Sequence, residues 1–404
     1  MFHVIELNSL DELETYRLLW HNLECKTRDR NLFHSLAWMQ GICEHSRGET
    51  TPAVYIAMVD KYPIGIMPLV RQQVPTRLGQ MNGLTTSVAG WGDHFSPVGP
   101  NPAATIHAVV KHLNQRKQPW DVIDLKDIDF HSYDKGRTRT AFRNAGWSLL
   151  ERSWKTIATI DLQSGWANYW ANKRSTIREN ITQRLQAIES LPWKFHRYRS
   201  TDTETSNQDF ENGLKALRTL LVNSPLEQNS SIYAQDRGEF FEAMWREADR
   251  RGEADLCWVT LDGQPMAGSI GLLANHFLAV PKLLASASVS HQLQQSWKTL
   301  LIKQMLKNSY HRADACYRFA DPNENLIREW QTGVLETRRY TRFARYSVRG
   351  QVLNSWHRCS LMLRQGMQLT RPRPVLPSLP QPVPALSNNT TAPKLRLVGA
   401  ETET

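Results

Sequence analysis

The segment Leu256–Leu273, LCWVTLDGQPMAGSIGLL, decides the fold of this chain. Two apolar runs flank an Asp-Gly pair, which predicts two β-strands joined by a tight turn. The segment Val54–Val70, VYIAMVDKYPIGIMPLV, follows the same pattern. In both segments a proline follows an aspartate by three residues, and the two aspartates, Asp60 and Asp262, are 202 residues apart. The sequence therefore contains two similar hairpins.

The segments around the hairpins also recur in the same order. A helix-forming run precedes each hairpin, and a helix-forming run followed by a strand-forming run occupies Ala103–Asp129 and again Gln295–Asn323. A short helix, a glycine suited to a left-handed helix end and a strand come next, at Phe142–Leu162 and Arg328–Val348. This order indicates two copies of one unit. We expect an α/β (α+β) fold of two tandem domains, each with a mixed, mostly antiparallel sheet flanked by helices.

The repeat and the composition of the chain end divide the sequence into four regions. Residues 1–163 and 164–348 are the two expected domains, residues 349–368 are a basic amphipathic helix, and residues 369–404 are a disordered tail. The tail is rich in proline and small polar residues and has no apolar period. A segment of this composition cannot bury a core.

Arginines surround an apolar stripe in the region after Val348. The stripe recurs at helical spacing and consists of Val352, Trp356, Cys359 and Leu363. Between Arg328 and Arg373 there are ten arginines and two acidic residues, a balance that attracts phosphate, anionic lipid or nucleic acid. The alternative is a solvated basic surface. We expect this helix either to dock on a domain or to make peripheral contact with an anionic inner membrane.

Composition restricts the class of protein. With 404 residues, 41% of them apolar, the chain can bury a substantial core. The acidic start of the chain is unlike a signal peptide and no stretch reaches transmembrane length, so we expect a cytoplasmic protein. The five cysteines are scattered without CxxC or Cys/His ligand spacing, which argues against disulfides and against a metal site.

This organisation resembles the GNAT acyltransferases, in particular the double-domain branch of CelD-like proteins of bacterial cellulose and exopolysaccharide biosynthesis. It resembles the FemAB aminoacyl transferases more distantly. The resemblance covers Phe2 to Val348 and depends most on LDGQPMAGSIGLL in the second hairpin and on the basic helix within Trp166–Ser190. Asp93, in GWGDHFSPVG, is at a position where these proteins often have an aspartate.

The resemblance implies a site for an acyl donor in the second domain. In GNAT proteins the strand before the long helix splays from its neighbour and contacts the pantetheine, while amides at the helix N-terminus hold the pyrophosphate. The corresponding segment here is Ser286–Leu306, in which Ser296, Trp297 and Lys298 stand where the family usually has a glycine-containing loop. The implied donor is acetyl-CoA or another acyl-CoA. An acyl carrier or an aminoacyl-tRNA would relax the need for that loop.

Several side chains are candidates for catalysis or for substrate binding. Transfer to an amine needs one base and a set of amide donors for the oxyanion, and we select His276, His291, Tyr310 and Asp321 as catalytic candidates. Arg174 and Arg178 are four residues apart on a helix and could grip a phosphate or carboxylate, so with Asp93 they are the candidate substrate-binding residues. The alternatives are structural histidines, and arginines that pair with Glu179 and Glu189.

The resemblance implies a degenerate first domain and an active second domain. The implied reaction is transfer of an acyl group to an amine or hydroxyl of a cell-envelope or exopolysaccharide precursor, with a sugar or amine acceptor as partner. One alternative is a non-catalytic GNAT-like scaffold of a polysaccharide-synthesis system, which the missing glycine loop favours. Another is a FemAB-like aminoacyl transferase, with aminoacyl-tRNA as partner.

We predict that deletion of Arg371–Thr404 changes the melting temperature by less than about 1 °C, because a proline-rich segment without apolar period has no core to lose. Differential scanning calorimetry of the full chain and the shortened chain measures this. A fall of several degrees would show that the tail packs against the rest of the protein.

Overall fold

Twelve strands form one mixed sheet with helices on both faces. The structure is a computed structural model that describes residues 2–356 apart from 47, 88–91, 93, 116–119, 204–205, 224–236, 275–276, 313 and 321–324. The described chain as far as Asn354 is one compact unit. We refer to residues 2–161 as the first half and to residues 166–343 as the second half.

The first half is a strand, helices, a three-stranded meander and two further helix–strand steps. Its elements are β1 Phe2–Leu7, α1 Leu10–Thr15, α2 Arg17–Cys25, α3 Leu36–His45, β2 Thr50–Val59, β3 Tyr62–Thr76, β4 Gly79–Thr86, α4 Pro102–Gln115, β5 Val122–Asp129, α5 Arg137–Asn144 and β6 Leu150–Asp161. A 3-10 turn, Leu32–His34, precedes α3, and a short π-helix, Phe130–Asp134, follows β5.

The second half repeats this order after two additional helices. Its elements are α6 Trp166–Ala171, α7 Ser175–Gln186, β7 Trp193–Arg199, α8 Asn207–Val222, α9 Arg237–Arg250, β8 Ala254–Leu261, β9 Gln264–Ala274, β10 Phe277–Ala285, α10 His291–His311, β11 Cys316–Phe319, α11 Asn325–Trp330 and β12 Gly333–Phe343. The expected boundary between residues 163 and 164 lies between β6 and α6.

The two hairpins share a backbone irregularity as well as a sequence pattern. The pairing of β2 with β3 shifts register between Ala57 and Met58, and the pairing of β8 with β9 shifts between Val259 and Thr260. These positions are again 202 residues apart. Asp60 and Asp262 both have left-handed backbones, with φ of 52° and 49°, which an aspartate tolerates better than most residues. The tandem repeat predicted from the hairpins is confirmed.

The halves exchange strands across the centre of the sheet. The strand order is β1-β2-β3-β4-β5-β12-β6-β11-β10-β9-β8-β7. Strand β12 of the second half is antiparallel to both β5 and β6 of the first half, and β6 is also antiparallel to β11. Backbone hydrogen bonds therefore join the repeats into one sheet. The sequence did not predict this exchange, and the division into domains of residues 1–163 and 164–348 stays a prediction.

A buried ion pair ties β12 to the first half. The Asp124 side chain on β5 is fully buried, and the Arg339 guanidinium on β12 donates to both of its oxygens at 2.6 and 2.8 Å. The hydroxyl of Thr341 on β12 donates to the same carboxylate, and the Lys126 ammonium is 3.3 Å from it. Charged hydrogen bonds of this geometry fix the register of β12 against β5.

Helix packing also joins the halves. Helix α3 packs on α9, where the rings of Trp38 and Phe240 meet edge to face at 5.4 Å. Gly41 of α3 makes this approach possible, since a Cβ there would be 2.6 Å from Cε of Met244. One apolar core therefore runs through both halves on this face, and a second core lies between the sheet of the second half and α7 and α10.

A buried network fixes the far end of α10. The Arg197 guanidinium on β7 donates to Asp255 at 2.7 Å and to the Ser309 hydroxyl on α10 at 2.8 Å. Arg199 donates to Asp255 and, through both terminal nitrogens, to Asp314 at 2.8 and 2.9 Å. Burial alone would raise the pKa of Asp255, but the two guanidinium groups lower it below its ordinary value.

Residues 348–356 are helical, within the region predicted as an amphipathic helix. Val348 and Val352 are exposed and Leu353 is buried. Cys359, Leu363 and the predicted tail lie outside the described residues. None of the helices in the described ranges combines the length and apolar character that crossing a bilayer requires.

We predict that Arg339→Ala lowers the free energy of unfolding by about 2 kcal/mol, because Asp124 would stay buried with Lys126 as its nearest cation. Urea denaturation followed by tryptophan fluorescence measures the change. The control is Arg345→Ala, which removes an exposed arginine just beyond the same strand and should change stability by less than about 0.5 kcal/mol. Equal effects of the two substitutions would contradict a structural role for the Asp124–Arg339 pair.

Candidate functional site

In the second half, β10 and β11 pair only at one end. Phe277–Val280 is parallel to Cys316–Phe319, and β10 then continues to Ala285 with only β9 as its partner in the described chain. The N–H of Ser286 donates to Met266 of β9 at 2.9 Å. Because successive residues of a strand direct their backbone groups to opposite edges, Leu283 and Ala285 direct theirs to the opened side. Among the described residues, no strand pairs with this side of β10 beyond Val280.

Helix α10 begins directly after this opened edge. Ser290 caps the helix by accepting the N–H of Leu293 at 3.4 Å, and residues 286–289 before it have small or medium side chains. The 21-residue helix directs its positive end and its first amides to this loop. A cleft of about 440 Å³ lies beside it, between α7 and the first turns of α10. A phosphate group is the type of ligand that such a helix start binds.

The residues predicted for the glycine-loop position lie inside α10. Ser296, Trp297 and Lys298 follow the first residue of the helix by five to seven positions, and all three are buried. Trp297 belongs to the core between α10 and the sheet, so it does not crowd the helix start. The loop that precedes α10 is instead 286–290, one and a half turns earlier than the sequence analysis placed it.

The two catalytic candidates that the structure describes, His291 and Tyr310, lie far apart. His291 is exposed at the first position of α10, whereas Tyr310 is at the far end, about 28 Å away along the helix axis. Tyr310 lies among the rings of Trp166 and Tyr169 and donates to the carbonyl of Asp161 at 3.2 Å. Burial raises its pKa to about 12. His276 and Asp321 lie outside the described residues.

The two candidate arginines lie at the start of α7. Arg174 is the exposed N-cap residue, and Arg178 is half-buried beside a surface cleft of about 590 Å³. Neither forms an ion pair within the described ranges, so the alternative pairing with Glu179 and Glu189 does not occur there. The Nε of Arg178 is buried and has no hydrogen-bond partner among the described residues. Asp93 lies outside the described residues.

The first half has the equivalent opening, but a segment of the chain itself fills part of it. Strands β4 and β5 are parallel only over Gly83–Thr85 and Val122–Asp124. Beyond this point, the N–H of Phe95 donates to the carbonyl of Asp127 at 2.7 Å, and Val98 exchanges two hydrogen bonds of 2.8 Å with Ile66 of β3. Residues 94–98 therefore take the place of a continued β4.

A cavity of about 280 Å³ remains between residues 94–102, the end of β5 and the first turns of α4. Its lining includes apolar side chains, four cations of which three are exposed, and one buried acid. The apolar residues are Met67, Phe95, Ile106, Leu125 and Ile128, the cations are Lys26, Arg28, Lys135 and Arg137, and the acid is Asp134. This pocket therefore lies in the half that the sequence analysis expects to be degenerate.

Asp134 is the most unusual group in the cavity. Its side chain is buried, and Oδ1 accepts the N–H of Thr138 at 2.9 Å and the Thr138 hydroxyl at 2.5 Å. Oδ2 is buried and accepts no hydrogen bond of normal geometry from the described residues. Burial raises the pKa of this carboxyl, an effect that the Thr138 hydrogen bonds, the Gly136 amide and the Arg137 charge oppose only in part.

One contact links this cavity to the opened strands of the second half. Tyr133, which lines the cavity, accepts a hydrogen bond of 3.2 Å from Nη1 of Arg318 on β11. The His94 ring stacks on Tyr133 with centroids 4.0 Å apart, and the Arg318 guanidinium lies over the ring of Phe277 at 4.5 Å. Strand exchange brings these groups together, so no spacing within the sequence indicated Tyr133, Asp134 or Arg318. Within the described ranges, no cluster of three or more His, Cys, Asp or Glu could hold a metal ion.

Comparison with known proteins gives a domain match, in the second half, and a similar fold. Residues 175–331 match the model of the acetyltransferase (GNAT) domain family. No curated protein sequence matches the chain. The fold is similar to that of FemX, with a TM-score of 0.51, 10% identity, and coverage of 88% of this chain and 99% of FemX. The predicted fold class, a mixed α/β fold with a large mixed sheet flanked by helices, is confirmed.

Two further solved structures are more remote. L-PGS from Bacillus licheniformis has a TM-score of 0.48 at 10% identity and covers 79% of this chain and 95% of its own. A tandem GNAT protein from the clavulanic acid biosynthesis pathway has a TM-score of 0.45 at 10% identity and covers 86% of this chain and all of its own. Neither likeness is close enough to support an argument, and the CelD-like branch is not confirmed.

We predict that Asp134→Asn raises the melting temperature at pH 7 by about 2 °C, because the amide keeps the Oδ1 acceptor for Thr138 and removes a buried charge. The sign follows from the raised pKa: the folded state holds the proton more tightly, so the carboxyl opposes folding increasingly as pH rises above its ordinary pKa. Calorimetry at pH 4 and pH 7 measures this, with a smaller difference expected at pH 4. A variant less stable than wild type at pH 7 would contradict it.

Proposed function

We propose that the second half binds an acyl-CoA at the start of α10 and transfers its acyl group to an amine or a hydroxyl. The observation that carries this proposal is the interrupted pairing of β10 and β11. Within the described residues it ends at Val280 and Phe319, and the rest of β10, which leads to the start of α10, has only β9 as a partner there. The GNAT domain match over 175–331 includes both strands and the helix, and it supports acyl transfer in general terms.

The backbone supplies groups that suit the two ends of this donor. The opened edge at Leu283 and Ala285 can pair with the amides of a pantetheine arm, as a neighbouring strand would. The amides at the start of α10 can hold the pyrophosphate. Small side chains at Ser286, Ala287 and Ser288 allow close approach of a phosphate, so this loop can serve without a glycine.

The reaction requires little beyond this backbone. A neutral amine attacks the thioester carbonyl, a C–N bond forms, the C–S bond breaks, and the thiol leaves with a proton while the amine loses one. Backbone N–H groups at the opened edge stabilise the oxyanion of the tetrahedral intermediate. Among the catalytic candidates of the described chain, His291 is the one at the start of the helix, and we assign it the role of proton acceptor.

The acceptor class comes from the family resemblance alone. We propose a cell-envelope or exopolysaccharide precursor with an amine or hydroxyl group, and Arg174 and Arg178 as groups that bind its phosphate or carboxylate. Their lack of acidic partners in the described part of the chain supports this role. The alternative function is a non-catalytic scaffold, which the absence of glycine from residues 286–290 favours.

We predict that Ser288→Glu weakens acetyl-CoA binding at least tenfold, about 1.4 kcal/mol, whereas Ser288→Gln changes it less than threefold. Ser288 is exposed two residues before the helix cap, so both variants should fold, and only the glutamate repels a pyrophosphate at the helix start. Isothermal titration calorimetry with acetyl-CoA and with a long-chain acyl-CoA measures the two constants.

The outcomes separate the alternatives. Binding that depends on the charge at position 288, together with CoA release in the presence of amine acceptors, supports the enzyme. Wild-type protein that binds neither acyl-CoA at millimolar concentration would contradict the proposed enzyme. The non-catalytic scaffold would then be the function that remains. An acetyl-CoA affinity that is unchanged by both Ser288 substitutions would show that the donor binds at another site.

A further inference from the structure

We propose that the cavity of the first half is a binding site for a small zwitterion with an apolar body, of which an α-amino acid with an apolar side chain is the simplest example. The cavity is bounded by residues 94–102, the end of β5, the π-helix and the starts of α4 and α5. This inference concerns the other half of the chain and does not depend on the proposed acyl donor.

The cavity has room and walls for an apolar body. Its volume of about 280 Å³ exceeds that of any single amino-acid side chain, and its lining includes Met67, Phe95, Leu125 and Ile128. These four side chains are each at most 5% exposed, and they come from β3, from β5 and from the segment 94–98. Buried side chains from several elements form a preformed pocket. Pockets that bind small ligands are usually of this kind, apolar with a few polar groups.

Asp134 supplies the group that an ammonium would recognise. One of its oxygens has a structural role, since Oδ1 accepts the N–H and the hydroxyl of Thr138 at the start of α5. That role does not account for Oδ2, which is buried without a normal hydrogen bond from the described residues. The Gly136 amide interacts with this carboxylate but makes no hydrogen bond of normal geometry to Oδ2. A buried carboxylate oxygen left in this state is costly, and a ligand N–H group is the complement that would satisfy it.

The exposed residues that line the cavity are positively charged, whereas Asp134 in its interior is an acid. Lys26 and Lys135 are exposed there and have no acidic partner in the described part of the chain, and exposed Arg28 adds a third cation with a 3.4 Å ion pair to Asp29. The start of α4 at Pro102 adds the positive end of a 14-residue helix. An anionic group therefore favours the mouth while an ammonium favours the interior.

These two charge preferences and the apolar walls define one orientation. The ammonium of the ligand lies against Asp134, its carboxylate faces the lysines, and its side chain fills the space toward Phe95 and Leu125. A simple anion would use only the mouth, and a simple amine would use only Asp134. A zwitterion uses both, so removal of either ligand charge must weaken binding.

Calorimetric titration tests this on the full chain with three matched probes. L-Phenylalanine has both charges, N-acetyl-L-phenylalanine lacks the ammonium, and phenethylamine lacks the carboxylate. L-Leucine replaces L-phenylalanine in a parallel set, with its own N-acetyl and amine counterparts, because it fills less of the cavity. We expect at least one amino acid to bind tenfold or more tightly than both of its single-charge counterparts.

Two variants locate the site. Asp134→Asn keeps the acceptor for Thr138 and should weaken the amino acid tenfold or more while leaving the N-acetyl probe within twofold. Lys135→Gln should weaken the amino acid three- to tenfold and leave the amine unchanged. The control is Lys111→Gln, an exposed lysine on α4 outside the cavity, with binding within twofold of wild type. Melting curves of each variant confirm that it is folded.

The proposal is overturned by any of three results. Wild-type protein that binds none of the six probes has no such site. Binding of the N-acetyl derivative as tight as that of its amino acid shows an anion site at the mouth. Amino-acid binding that survives Asp134→Asn unchanged, in a folded variant, excludes this cavity.

Discussion

The insertion of β12 between β5 and β6 is the constraint on which the rest of the structure depends. A strand that belongs to the second repeat completes the sheet of the first, and β6 of the first repeat pairs with β11 of the second. The buried Asp124 carboxylate, held by Arg339, makes any other register of β12 costly. Because β5 and β11 are only three strand spacings apart, about 14 Å, the openings of both repeats face the same central region. The hydrogen bond from Arg318 to Tyr133 is a direct result of that arrangement.

The two repeats have the same order of elements but differ at the opening between their parallel strands. In the second half, β10 beyond Val280 has only β9 as a partner among the described residues, and a long helix follows it. In the first half, residues 94–98 occupy the equivalent place by bonding to Asp127 and Ile66, and only a smaller cavity remains. The same architecture thus offers an extended cleft suited to a nucleotide-linked donor and a closed pocket suited to a small ligand. The sequence predicts a degenerate first domain with Asp93 as its one candidate binding residue, and it does not indicate this pocket.

Local sequence patterns predicted much of the fold. The features that depend on contacts between distant segments could not be predicted. The hairpins, the order of elements and the repeat follow from alternation and turn residues, and even the two bulges recur at the offset of Asp60 and Asp262. Strand exchange could not be predicted, because the pattern of β12 suits pairing with either half. The start of α10 was placed too late because Ser296, Trp297 and Lys298 were matched to the glycine-containing loop of the family that the chain resembles, whereas the Ser290 cap begins the helix at His291. The sequence does not distinguish Asp134 from the other aspartates, because its burial depends on the fold.

We propose that an acyl-CoA binds along the opened edge of β10 and at the start of α10. Hydrogen–deuterium exchange with and without acetyl-CoA tests it at the level of single segments. We expect slower exchange of the backbone amides in 282–293, where the described part of the chain leaves one edge of β10 without a partner strand and the helix begins. We expect unchanged exchange in 94–102 of the first half. Protection confined to residues 94–102, or no protection of residues 282–293 at saturating acetyl-CoA, would contradict it.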